Sequence, residues 1–133
     1  MKIYLDTNCI IYFVENNPAW GPKVIARITM IRSASDELVV GDLARAECLV
    51  GPFKKGDVGL EARYRGFFSD PDIPVLGITA AVCERAARIR ADHKFDLVDS
   101  LHLATAAEHG CGLFLTKDAQ LSRCTAIPVE VLT

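Results

Sequence analysis

The chain has 133 residues, 50% hydrophobic and 24% charged, with 15 Lys and Arg against 17 Asp and Glu for a net charge of −2. That length holds one domain with a hydrophobic core, residues 1–133, and is too short for two ordinary ones; the composition excludes a disordered or fibrous chain. The charge announces no nucleic-acid binder, although a local patch can do that work inside an acidic protein.

The first run, Lys2-Ile3-Tyr4-Leu5, reads as a buried strand over Ile3 to Leu5, and Asp6 stands between it and the apolar run Cys9 to Val14. That run is far shorter than the roughly 18 residues of a membrane span, and no basic-then-apolar leader precedes Asp6, so a soluble, cytoplasmic protein is expected. Trp20 to Ser33 carries Trp20, Val24, Ile28 and Ile31 at helical spacing. Leu38 to Val40 is the next strand, followed by a short helix from Leu43 to Val50. Gly51-Pro52, Lys54-Lys55-Gly56-Asp57 and Asp70-Pro71 read as loops, with a helix over Glu61 to Phe68 between the last two. A weaker strand follows at Ile73 to Leu76. Val82, Ala86 and Ile89 mark one face of a helix over Ala80 to Ala91. A further helix runs from Leu97 to His109, ended by Gly110 as a C′ residue. Its apolar stripe is Leu97, Leu101, Ala104 and Ala107, with Leu103 and Ala106 extending toward the side of Asp99. The last strands are Leu113 to Leu115 and, more weakly, Val129 to Leu132. Strands separated by helices of this length predict an α/β fold with a parallel sheet covered on both faces.

The cysteines (Cys9, Cys48, Cys83, Cys111, Cys124) are odd in number, widely spread and free of any C-x-x-C pair. They indicate neither a zinc site nor a secreted disulfide frame, and read as small buried residues in a reducing cytoplasm.

The acids carry more. In a parallel α/β sheet, ligands gather at the carboxyl ends of the strands. Asp6 follows the first strand and Asp118 the strand Leu113 to Leu115. Glu47 lies in the helix after the second strand, and Asp99 near the start of the helix leading to Asp118. One rim can receive all four. Each also has an innocent reading: Asp6, Thr7, Thr116 and Asp118 as N-caps, Asp96 as the cap of the helix holding Asp99, Asp99 as a partner of its helix dipole, and Glu47 as a solvated surface residue. If the four do converge, two carboxylates about 5 Å apart at an effective dielectric of about 20 repel by roughly 3 kcal/mol. Several such pairs rival the stability of a whole domain, so a convergent cluster holds protons or a cation. Oxygen-only ligands suit Mg²⁺ or Mn²⁺ rather than zinc.

The chain resembles PIN domains, and more narrowly VapC-type toxins of toxin–antitoxin pairs, in four ordered stretches: "YLDTN", "ARAECLVGPFKKGD", "DLVDSLHLATAAEHGC" and "LFLTKDAQL". The resemblance covers nearly the whole chain. It implies a three-layer α/β/α fold with a mainly parallel central sheet and a divalent-metal-dependent endoribonuclease. Its catalytic acids would be Asp6, Glu47, Asp99 and Asp118. Asp6, Asp99 and Asp118 would hold Mg²⁺, or Mn²⁺, and Thr7, Asn8 and Thr116 would line the pocket. It also implies an RNA substrate, a cognate antitoxin and a homodimer, with no membrane. Asp96 is an added acid, and Gly56 to Phe68 matches no motif.

Histidine-based RNA cleavage competes poorly, because His102 and His109 stand two helical turns apart, roughly 10 Å. His102 reads as a packing or hydrogen-bonding residue, His93 as a loop residue and Lys117 as an exposed loop lysine. Lys54-Lys55 and Arg63/Arg65 are weak candidates for RNA backbone contact. An aspartyl phosphatase would want a second acid where Asn8 stands, and a phosphoreceiver domain would want adjacent acids at the first strand. The alternative of another class is a non-catalytic PIN-like interaction module that binds a protein partner, with Trp20, Ile28, Ile31, Phe67 and Phe68 as its apolar surface.

Overall fold

Alternation along β1 (Lys2–Leu5) sends Ile3 and Leu5 to one side of a sheet and Tyr4 to the other, and all three are fully buried. A strand buried on both faces belongs at the centre of a parallel sheet. The computed structural model, which describes residues 1–133, places it there. The remaining elements are α1 (Thr7–Val14), α2 (Gly21–Ser33), β2 (Glu37–Gly41), α3 (Asp42–Lys55), α4 (Val58–Phe68), β3 (Val75–Leu76), α5 (Ala80–His93), α6 (Leu97–Glu108), β4 (Leu113–Thr116), a 3₁₀ turn (Ala119–Arg123) and β5 (Val129–Val131). The strands lie in the order β3-β2-β1-β4-β5, and every pairing is parallel.

Helices cover both faces, giving three α/β/α layers. Ile3, Leu5, Leu38, Val40 and Leu115 pack against α1 to α4, whereas Tyr4, Val39 and Phe114 pack against α5 and α6. The chain winds outward from β1 to β2 and β3, then returns to lay β4 on the other side of β1. The order therefore reverses between β1 and β4, and their carboxyl ends flank the crevice where ligands bind in such sheets.

Several boundaries differ from the sequence expectation. Gly51-Pro52 is not a loop: α3 runs through it to Lys55. Pro52 sits in the last turns, where its missing N–H removes one bond, and it is buried there. The chain turns only at Gly56, in the left-handed conformation (φ 64°) that a residue without Cβ adopts at little strain. His93 is the last residue of α5, its ring stacked on Phe95 at 5.4 Å. In α6 the buried face is Ser100, Leu103, Ala104 and Ala106 rather than a stripe through Leu97, which is 52% exposed. The helix packs against the sheet and α5 together, so a broader face is covered; Ser100 and Thr105 donate to their own helix's carbonyls at 2.8 and 2.7 Å.

Four cysteines are buried, but Cys83 is exposed on α5. Ile28, Ile31, Phe67 and Phe68 are core residues, which removes most of the apolar surface expected for a protein partner; Trp20 is partly exposed. No helix is long and apolar enough to cross a membrane.

Phe114 is fully buried at the centre of the α5/α6 side and stacked on Tyr4. Phe114→Ala is expected to lower the unfolding free energy by about 3–5 kcal/mol, read as a drop in the urea midpoint at unchanged slope.

Candidate active site

Asp6 leaves β1 at the reversal point. Its backbone N–H donates to the Leu115 carbonyl of β4 at 2.9 Å, which extends the ladder by one rung. Its side chain then caps α1: Oδ1 accepts the Thr7 N–H at 2.8 Å. Oδ2 accepts from the Thr116 hydroxyl at 2.7 Å and from the Asn8 amide at 3.3 Å. Capping and site-building are thus the same placement, and the two readings of Asp6 do not compete. The carboxyl is only 5% exposed, and that burial raises its pKa; a protonated His102 would oppose the rise, as do the bonds from Thr116 and Thr7.

Thr116, the last residue of β4, uses its full hydrogen-bonding capacity. It donates to Asp6 and accepts from Asn8 at 3.3 Å and from the Asp118 N–H at 3.0 Å. Asn8 accepts in turn from the Lys117 N–H at 3.1 Å. Asp118 caps the 3₁₀ turn through Gln120 N–H at 3.0 Å. Lys117 is not a free loop lysine: its ammonium lies 4.3 Å from the ring centre of Trp20, which Lys23 also approaches at 4.7 Å.

Glu47 reaches the rim from α3. Its Oε1 accepts from the Thr7 hydroxyl at 2.7 Å and lies 2.5 Å from Nε2 of His102. Burial pushes this half-buried carboxyl up, but the hydrogen bonds from His102 and Thr7 outweigh it and hold the pKa below the ordinary value. It is not a solvated surface glutamate.

Asp99 sits in the first turn of α6, where Asp96 caps the helix by accepting the Asp99 N–H at 2.7 Å. Its carboxyl is half-buried and its pKa is pushed up to about 6, first by burial and then by the charges of Asp96, Asp6 and Asp118, with His102 opposing. Acids from β1's end, from α6 and from β4's end therefore share one electrostatic field.

All seven expected site residues thus lie along the carboxyl ends of β1 and β4 and the facing turns of α3 and α6. Their chemistry fits a hard divalent cation: the donors are oxygens, and like charges raise Asp99. The expected ligand set of Asp6, Asp99 and Asp118 is nevertheless not a closed cage, for no three His, Cys, Asp or Glu groups gather closely enough to grip one ion. Both Asp6 oxygens are already held by neighbouring donors, and like charges resist closer approach. The rim is open. The largest hollow in the molecule, about 500 Å³ and lined by Phe13, Arg63 and Phe67 among others, includes none of the four acids.

Two residues of the network escaped the sequence reading of the site. His102 was expected to bond or pack, and it bonds to Glu47; Tyr4 was read only as strand. The available signal was spacing: His102 is one helical turn from Asp99, and Tyr4 shares its strand parity with Asp6. The arginines offered for RNA contact are engaged elsewhere, Arg63 with the Val14 carbonyl and Arg65 with Glu61 at 2.9 Å.

A family model described as "PIN domain" matches residues 3–126. Among solved structures, the fold is similar to VapBC2 from Rickettsia felis bound to a fragment of its promoter DNA (TM-score 0.83, 15% identity, 100% of each chain covered). It is also similar to VapBC-1 from nontypeable Haemophilus influenzae (TM-score 0.75, 22% identity, 99% of this chain and 98% of the other). A third is the sarcin–ricin-loop-cleaving toxin VapC20 of Mycobacterium tuberculosis (TM-score 0.67, 13% identity, 84% and 86% covered). No curated protein sequence matches the chain.

The raised pKa of Asp99 has a signed consequence. Its folded pKa, about 6, lies above the ordinary 3.8, so its contribution to stability is fully present below about pH 4 and is lost as pH rises through about 6. Asp99→Asn is accordingly expected to stabilise the metal-free protein at pH 7.5 by about 1 kcal/mol, after allowance for solvent screening of a half-exposed group. The gain should shrink through pH 6 and vanish below pH 4, read by urea unfolding in EDTA across that range.

Proposed function

Because the chain belongs to the PIN-domain family, we propose that it is a divalent-cation-dependent endoribonuclease, the toxin of a toxin–antitoxin pair. The observation that carries this reading is the shared field at the strand ends. Asp6 is buried there with every oxygen hydrogen-bonded, and Asp99 is pushed to about 6 by Asp96, Asp6 and Asp118. Such repulsion is what a doubly positive ion relieves.

Asp6, Asp99 and Asp118, which close no cage by themselves, would hold Mg²⁺, or Mn²⁺, together with water, as Mg²⁺ usually keeps part of its hydration shell. When bound, the ion lowers the pKa of water it touches and neutralises charge developing at phosphorus. The protein groups do the rest. Thr7, Asn8 and Thr116 fix the plane of the Asp6 carboxylate, so it does not rotate toward solvent. Glu47, held ionised by His102 and Thr7, accepts the proton of the attacking water through its free Oε2. The water oxygen bonds to phosphorus as the bond to the ribose 3′ oxygen breaks. The products carry 5′-phosphate and, once the departing oxygen is protonated, 3′-hydroxyl ends.

An RNA substrate is supported by the family and by the likeness to a toxin described as cleaving the sarcin–ricin loop; the open rim admits a structured polymer. A cognate antitoxin is supported by the likeness to VapBC complexes. A homodimer belongs to the same proposal. The non-catalytic module finds less support, since all four acidic positions are filled.

Purified chain incubated with RNA and Mg²⁺ is expected to cleave it to 5′-phosphate products, to stop in EDTA and to lose at least about a hundredfold on Asp6→Asn. Cleavage that survives EDTA or Asp6→Asn would remove the metal-dependent nuclease. Cleavage of no RNA would favour the binding module.

A further inference from the structure

Beneath the acids lie Tyr4, which the scheme above leaves without a task, and His102, whose proton it does not place. Tyr4 is fully buried, its ring stacked on Phe114 at 5.1 Å and its hydroxyl 2.6 Å from Nδ1 of His102. The end of β2 is shaped around that hydroxyl: a Cβ on Gly41 would lie 2.2 Å from it, so a hydrogen is all that fits there. His102 is 1% exposed, and its other nitrogen, Nε2, faces Glu47 Oε1 at 2.5 Å and Thr7 Oγ1 at 3.2 Å.

The donors and acceptors fit one neutral arrangement. A phenol has a single proton to give, and Nδ1 is the acceptor within its reach. A carboxylate has none to give, so the nitrogen facing Glu47 donates. Thr7 also donates to Oε1, which leaves Oε2 without a protein donor. We propose that Tyr4 and His102 are positioning residues for Glu47: the Tyr4 hydroxyl holds His102 with its proton on Nε2, and that N–H, with the Thr7 hydroxyl, pins Oε1 so that Oε2 alone takes the proton of the attacking water. This deepens the nuclease reading and rests on it. Neither residue touches substrate; each acts through Glu47, as partners that orient an imidazole or carboxylate do in metal sites. A glutamate on a helix has three rotatable bonds, and two donors on one oxygen remove the freedom that would otherwise blur its aim.

The test has two arms. In metal-free protein labelled with ¹⁵N-histidine, ring nitrogen shifts distinguish protonated from bare nitrogens, and His102 is assigned by its loss in His102→Gln. The proton is expected on Nε2 in the wild type, and in Tyr4→Phe the bare Nδ1 is expected to move to the shift of a nitrogen that accepts no hydrogen bond. In cleavage assays at saturating Mg²⁺, Tyr4→Phe should lower kcat about tenfold and His102→Ala about a hundredfold, with KM changed less than about twofold. His102→Gln, whose amide N–H can replace the Nε2 donor, should recover about tenfold of that loss. Melting curves identify variants that fail to fold, and Tyr4→Phe keeps the ring that packs on Phe114. A wild-type His102 with its proton on Nδ1 overturns the proposal, as does wild-type kcat in folded Tyr4→Phe and His102→Ala. If the wild type cleaves no RNA, the nuclease reading falls by itself; the nitrogen shifts still decide, because an Nε2 proton together with a Tyr4-dependent Nδ1 shift sustains the pinning of Glu47 and an Nδ1 proton removes it.

Discussion

A carboxylate buried between the first and fourth strands is the constraint around which this molecule is arranged. Taking an unpaired carboxylate out of water is costly enough that a folded protein surrounds it with donors or lets it take up a proton. Asp6 receives the Thr7 N–H, the Thr116 hydroxyl and the Asn8 amide, from both strand ends that flank it. Those bonds explain why the segment after β1 turns at once into a helix and why β4 ends in threonine. They also fix Asp118, whose N–H closes the second lone pair of Thr116. No buried side-chain nitrogen or oxygen in the chain lacks a partner, so the network forms a fully bonded floor.

That floor joins the two helical layers. Glu47 belongs to α3, on the side of the sheet that carries Ile3 and Leu5, and His102 to α6, on the side that carries Tyr4. They meet only because both reach past the end of the sheet to Thr7. Parallel strands make this meeting possible, since all their carboxyl ends point one way and every following helix begins at the same rim. The acids accordingly project from helix starts and strand ends, elements whose positions are set by the core and not by loops.

Much of this was legible in the residues. Short runs rich in Val, Leu, Ile and Phe located all five strands within a residue or two, because a strand buried on both faces tolerates little else. The acids were legible through the ordered motifs that carry the PIN resemblance. What failed was local punctuation overridden by tertiary packing. Gly51-Pro52 has loop chemistry, yet burial of Pro52 keeps α3 helical. The α6 stripe was drawn for one packing surface, whereas the helix meets two, so Ser100 and Thr105 are buried and Leu97 is not. The pairing of Tyr4 with His102 spans 98 positions, and no periodicity encodes a through-space bond of that kind. Only Gly41, placed where β2 ends, bears a trace of it, and glycine at a strand end has many other uses.

Two carboxyl groups of the rim, Glu47 and Asp99, are driven in opposite directions, and that asymmetry is informative about roles. Glu47 and Asp99 are both about half-buried, and burial raises each, yet Glu47 ends below its ordinary value and Asp99 at about 6. The difference is in partners. Glu47 has two donors on one oxygen, whereas Asp99 has like charges from Asp96, Asp6 and Asp118 and no donor on its carboxylate. Neighbouring acids pushed apart in this way ordinarily divide their tasks. In the proposed reaction the ionised, well-held Glu47 suits proton acceptance at a fixed point, and the repelled Asp99 suits binding an ion, since it gains most when positive charge arrives. An arrangement made only for stability would have given Asp99 a cation of its own; the charges that raise it are instead those of three more acids.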